Sequence, residues 1–274
     1  MIRIFIVGCP RSGTTLLQAL LASHSKVFSI PESHFFLKSF RGKRALLFRG
    51  FHSSAVLRSW LQRIGMQEYV SRVPRLSFSR SPIVKAFVNI MDEAALKKGA
   101  SCWAEKTPGH IFVIEEIEKR IPDARFIHVI RDGRAVVASL WDVHKRYPQV
   151  WRNRSLAECV RMWNKAIAKS ASVVGKPNHF FVSYEMLTAD PERELNLICR
   201  FLGLKFEESM LGNYRKTAKQ ITLPEWHWVK GAGGPIKSVK LEKFNSIFSE
   251  SEREYVEKHL IKLPEILRKA IQHA

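Results

Sequence analysis

A nearly continuous apolar run at residues 2–7, IRIFIV, passes directly into GCPRSGTT at residues 8–15, and the leucine- and alanine-rich TTLLQALLASH continues at helical spacing. A strand apolar on both faces must be covered on both faces, and a glycine-bounded turn that opens a helix carries the chain back across the sheet. The same alternation recurs. SCWAEKTPGH (101–110), ARFIHVI (124–130) and HFFVSYEML (179–187) read as strands, and IFVIEEIEKRI (111–121), RDGRAVVASLWDVH (131–144), 156–174 and PERELNLICRFLGL (191–204) read as helices. Strands alternating with helices predict an α/β fold with a central parallel sheet flanked by helices.

At 274 residues the chain can bury one large α/β core. No internal repeat or low-complexity linker divides it, so a single domain over 1–274 is expected. Residues 38–100, rich in Arg, Lys, Phe and Leu, read as a helical insertion, with WLQRIGMQEYV and VKAFVNIMDEAALKK its clearest helices. Residues 226–240, WHWVKGAGGPIKSVK, are glycine-rich, basic and aperiodic, as in a covering loop. A formal charge of +20 points to an anionic partner: nucleotide, nucleic acid, acidic glycan or anionic membrane surface. Cys9, Cys102, Cys159 and Cys199 form no C-x-x-C pair and read as reduced thiols rather than a zinc site or disulfide scaffold. No signal-peptide pattern and no apolar run of membrane-spanning length is seen, so the expectation is a soluble cytoplasmic protein.

The first loop raises a chemical question. A Walker A loop, G-x-x-x-x-G-K-[ST], cradles phosphates with backbone N–H groups and reaches the outer ones with lysine. Gly8 and Gly13 have that spacing, yet Thr14 stands at the lysine position and Arg11 is the only cation inside. Backbone amides and a helix N-terminus still make an anion site, to which Ser12, Thr14 and Thr15 add hydroxyls. Thr15 and Asp132 could in principle hold Mg²⁺ as in an ATPase, but Arg131 crowds that position with positive charge.

CPRSGTTLLQALLASH followed by FIHVIRDGRAVVASL resembles the two nucleotide motifs of the sulfotransferase family, whose donor is 3′-phosphoadenylyl sulfate (PAPS). AEKTPGH and VSYEMLTADPERELNLICRFLGL are similar to further motifs of its tyrosylprotein, carbohydrate and related bacterial branch. The resemblance implies a P-loop-NTPase-like three-layer fold. It also implies that Arg11, Ser12, Gly13, Thr14 and Thr15 hold the 5′-phosphosulfate, and Arg131 and Ser139 the 3′-phosphate. Arg131 ends a strand, where open α/β sheets bind ligands, and its planar fork suits phosphate.

The resemblance further implies a transfer that needs no metal, leaving 3′-phosphoadenosine 5′-phosphate (PAP). Glu32 falls where the tyrosylprotein branch carries its catalytic glutamate, and the adjoining Phe35 and Phe36 would raise its proton affinity by desolvation. His34 and His24 are rival bases. Lys106 resembles the lysine that neutralises the leaving group, work shared with Arg11, while Glu105 reads as an orienting residue. Tyr184 reads as a neighbour of the adenine nucleotide or as a buried strand tyrosine. Lys237 resembles the basic segment that folds over the cofactor's 3′ end, with Lys230 and Ser238 open as further participants. The acceptor stays open among small molecule, glycan, lipid and peptide, with contact to an anionic surface as an added partner and nucleic acid disfavoured. Two other readings compete: a P-loop nucleotide kinase or NTPase, and a basic polyanion-binding protein marked by FRGKRALLFRG.

Overall fold

Five parallel strands form one sheet in the order β2-β3-β1-β4-β5 in the computed structural model. The structure describes residues 1–41, 49–151, 153–223, 225, 233–236 and 241–272. The strands are β1 (Ile2–Gly8), β2 (Val27–Ser29), β3 (Cys102–Lys106), β4 (Ala124–Ile130) and β5 (His179–Ser183). Four of them are the strands read from the sequence. β2 has three residues, too few to show any periodicity, and exists because it pairs with β3 through Val27↔Cys102 and Ser29↔Ala104.

Alternation along β1 explains the layers. Phe5 and Val7 enter one apolar core, and Ile4 and Ile6 enter the other. The helices, in chain order, are α1 (Thr14–Ala22), α2 (Phe35–Phe40), α3 (Arg49–Arg63), α4 (Ser81–Lys97), α5 (Ile114–Glu118), α6 (Gly133–Arg146), α7 (Leu156–Ala171), α8 (Tyr184–Ala189), α9 (Pro191–Leu202), α10 (Ser209–Gly212), α11 (Tyr214–Gln220), α12 (Glu242–Ile247), α13 (Glu250–His259) and α14 (Glu265–Gln272). Helices α1, α9, α10 and α11 contribute core residues to one face; α3, α4, α6, α7, α13 and α14 contribute to the other. This is the three-layer P-loop-like α/β arrangement that the sequence predicted.

Two helix expectations change. The helix expected over 111–121 is divided instead between a 3-10 turn that begins earlier (Pro108–Val113) and a five-residue α5. Every residue from Pro108 to Val113 except Phe112 is buried, so no wet face remains to set a helical period. Within WLQRIGMQEYV, Gly65 at φ 77° ends the helix after Arg63, and a 3-10 turn (Gln67–Arg72) follows. α9 has proline at its first position, Pro191, and ends on Gly203, left-handed at φ 69°.

Because β1 lies between β3 and β4, the C-terminal ends of all three strands open at one place. The first loop, Lys106 and Arg131 are neighbours for that reason, in the crevice where the strand order reverses. All four cysteines are buried and free, and burial pushes the Cys9, Cys159 and Cys199 thiols upward. No helix among the described residues is long and apolar enough to cross a membrane.

Candidate active site

The glycines of the first loop are demanded by what passes over them. A Cβ on Gly8 would stand 2.7 Å from the Val129 carbonyl oxygen on β4. Gly13 adopts φ 94°, and a Cβ there would fall 2.1 Å from the Tyr184 ring. Ser12 N donates to the Cys9 carbonyl, closing the turn. No side chain caps the N-terminus of α1 and its first turn holds no acid, so its amides face the loop with their partial positive charge uncompensated.

Cations converge on that turn. Arg11 Nε donates to Ser139 Oγ at 3.1 Å, and Arg131 Nη1 donates to the Arg11 carbonyl at 3.2 Å. The Arg131 guanidinium lies over the Tyr184 ring, 4.4 Å from its centroid. Trp163 fixes the strand end by donating from Nε1 to the Arg131 carbonyl. Burial and the facing Arg131 charge lower the affinity of Arg11 for its proton, with Glu32 and Asp142 acting against them. Like charges held together in a buried place are stabilised by an anion between them.

A lysine reaches the first loop from another strand. Lys106, 1% exposed at the end of β3, donates from Nζ to Thr15 Oγ1 at 3.1 Å and forms an ion pair with Glu32. Glu32 Oε2 lies 3.3 Å from His34 Nε2. The carboxylate's immediate neighbours are therefore a lysine and a histidine, while Phe35 and Phe36 stack into the core around Phe87. Burial lowers the His34 proton affinity and Glu32 partly restores it, so the ring is held toward its neutral form. The other rival base, His24, sits elsewhere: its Nε2 contacts the Lys205 carbonyl at 2.8 Å.

Glu105 alternates with Lys106 along β3 and does different work. Its Oε1 accepts from Ser33 N, Ser33 Oγ and Thr107 Oγ1, and His110 Nδ1 lies 2.9 Å from its Oε2, outside hydrogen-bonding alignment. Burial alone would raise this carboxyl, but His110 and the hydroxyl donors outweigh it and hold it at about 2. Thr107 Oγ1 also accepts from His34 N. A buried anion thus clamps the segment that presents Glu32. Ser33, Thr107 and His110 escaped the sequence reading as site residues, although Thr107 and His110 stand inside the AEKTPGH motif.

Among the described residues, two non-glycine positions have positive φ, Arg11 at 75° and His34 at 51°, and both border this cluster. Strain held at two adjoining loops marks a place where geometry is fixed by its surroundings. Tyr184 opens α8, shielding Gly13 and stacking on Arg131. Asp132 is engaged differently from a metal ligand: it accepts from Arg134 N at the start of α6 and pairs with the Arg134 side chain. Lys230, Lys237 and Ser238 lie outside the described residues. The described part of that loop rests on α11, where Tyr214 Oη donates to the Gly234 carbonyl at 2.9 Å.

Solved structures share this architecture. The sulfotransferase domain from the Synechococcus PCC 7002 olefin synthase matches with a TM-score of 0.62 and 21% identity, over 99% of this chain and 93% of that domain. Mouse sulfotransferase SULT7A1, solved in complex with PAP, matches with a TM-score of 0.58 and 12% identity over 100% and 89%. In sequence, the protein-tyrosine sulfotransferase of Drosophila melanogaster is 28% identical over 244 residues, covering 87% of this chain but 45% of that protein, so the chain spans about half of that relative's length. The model of the sulfotransferase family matches residues 3–208, and the chain belongs to that family.

Proposed function

We propose that this protein moves a sulfuryl group from PAPS to a hydroxyl or amine acceptor. The observation that carries the reading is the convergence of buried Lys106 and half-buried Arg11 and Arg131 on an uncapped helix N-terminus, with one carboxylate, Glu32, touching the lysine. That donor set suits a nucleotide with two separated phosphate groups, and a fold neighbour was solved with PAP. Ser12, Gly13, Thr14, Thr15 and Arg11 would hold the 5′-phosphosulfate; Arg131 and Ser139 would take the 3′-phosphate, with Tyr184 and Lys237 beside the nucleoside.

The transfer balances without a redox partner. The acceptor oxygen forms a bond to sulfur while the bond from sulfur to the 5′-phosphate oxygen breaks. The electron pair of the broken bond stays on PAP, next to Lys106 and Arg11, and the acceptor proton passes to Glu32. In the resting arrangement Glu32 binds both Lys106 and His34, so the acceptor hydroxyl has to displace His34 to reach Oε2. Preorganised cations and positioning supply most of the acceleration in such a site. We read the reaction as metal-independent, because Asp132 is committed to Arg134 and Lys106 stands beside Thr15, where a P-loop NTPase would place its metal.

Calorimetry with PAP in the presence of chelator tests the nucleotide reading: binding without added Mg²⁺ supports it, and binding of ATP alone overturns it. Radiolabelled PAPS incubated with a metabolite extract then identifies the acceptor class.

A further inference from the structure

The segment between α3 and α4 exposes apolar side chains that the fold does not use. Leu76 is 82% and Phe78 85% exposed, more than any other large apolar residue among those described. This loop is nevertheless held in place. Ser54 Oγ donates to the Pro74 carbonyl at 2.6 Å, and Ser77 is buried with its hydroxyl on the Ser79 carbonyl. Gly50 packs so closely that a Cβ there would fall 1.8 Å from Ser77 O. The Phe51 ring meets Phe78 edge-on, with centroids 5.6 Å apart. Buried Ser77 between them anchors the loop, and Leu76 and Phe78 are presented to solvent from a clamped backbone.

Charge around the loop is strongly one-sided. Between Tyr69 and Met91 the chain carries Arg72, Arg75, Arg80 and Lys85 and no carboxylate, with Arg72 paired to Glu93 just beyond. Arg75 and Arg80 flank the two apolar residues, and Arg75 is exposed with no carboxylate paired to it among the described residues. Heparin would satisfy the cations but give Leu76 and Phe78 nowhere to go, and RNA, whose bases stack on a ring such as Phe78, would still leave Leu76 in water. An anionic bilayer satisfies both, since its headgroups attract Lys and Arg and its acyl boundary takes up aliphatic and aromatic side chains.

We propose that residues 74–80 form a docking tip by which this protein sits on anionic phospholipid surfaces, with Leu76 and Phe78 inserted at the headgroup boundary and the surrounding cations held at the membrane. The tip belongs to the helical insertion that begins a few residues after Glu32. The inference is independent of the transfer chemistry.

Flotation with phosphatidylcholine vesicles, with and without phosphatidylglycerol, tests it on the full chain. The expected result is co-flotation with the phosphatidylglycerol vesicles, at least about tenfold weaker for Leu76→Ser/Phe78→Ser. Leu96→Ser, which removes an exposed apolar residue outside the tip, should float as the unaltered protein does. Unchanged circular dichroism and melting temperature of the double variant show that the loss is one of docking. The proposal is overturned if the unaltered protein stays with the soluble fraction. It is equally overturned if the double variant floats normally while added salt strips both proteins, which would make the face a general polyanion binder, or if Leu96→Ser weakens flotation as much as the double variant.

Discussion

The turn at Gly13 and the turn at Ser77 are both clamped loops, and they spend their rigidity in opposite directions. At Gly13 the clamp faces inward: the Tyr184 ring, Arg131, Arg11 and Lys106 gather at the first loop, a place rich in donors and positive charge. At Ser77 it faces outward, burying the polar residue and exposing Leu76 and Phe78. Chemistry requires atoms fixed to a fraction of an ångström around a small anion, whereas a surface contact requires only that apolar side chains be kept out of the core. The difference teaches that the sheet end and the insertion are separable, the one proposed to bind the donor and the other to meet a surface.

The largest effect that would sharpen this contrast is at Glu32. Glu32→Gln should lower kcat by about 10²–10⁴-fold while PAP affinity stays within about threefold. Steady-state kinetics beside calorimetry separates the two, and an unchanged kcat would remove Glu32 from the reaction. Next comes Gly13→Ala, where a methyl must enter the Tyr184 ring space at an unfavourable φ; a stability loss of about 3 kcal/mol is expected in urea titration. A full tolerance of alanine would mean that the inward clamp is looser than its geometry.

Glu105 supplies a pH dependence. Its folded-state value of about 2 lies below its ordinary 4.5, so its contribution is complete above 4.5 and is lost as the pH falls through about 2. Denaturation midpoints across that window should drop for the unaltered protein by the equivalent of about 3 kcal/mol from this group, and Glu105→Gln should flatten the slope. Arg131→Ala is expected to have a smaller effect, weakening PAP by roughly thirtyfold, or about 2 kcal/mol, the worth of a charged hydrogen bond. The same substitution should barely change the affinity of an adenylate lacking the 3′-phosphate, and an equal loss for both ligands would break the assignment.

Much of this site was legible because its pieces are local. Residues 2–22 announce strand, loop and helix through periodicity and two glycines, and Asp190-Pro191 with Gly203 bounds α9 by capping alone. Other parts were invisible because burial or pairing created them. The helix expected over 111–121 became a 3-10 turn and a short α5 where burial removed the wet face that sets a helical period, and β2 needed β3 to become a strand. That α2 turns the Phe35 and Phe36 rings into the core, leaving Lys106 and His34 as the partners of Glu32, was likewise not legible in the sequence.

By itself the sequence determined the alternation of strand and helix, the glycine-bounded loop after β1 and the excess of positive charge, since each follows from neighbours along the chain. Only the tertiary structure decided that a lysine from β3 would stand beside Thr15, that Glu32 would meet that lysine, and that Tyr184 would roof Gly13. The physical reason is the strand order: a parallel sheet with β1 between β3 and β4 brings together strand ends separated by about a hundred residues, a juxtaposition that no local pattern encodes.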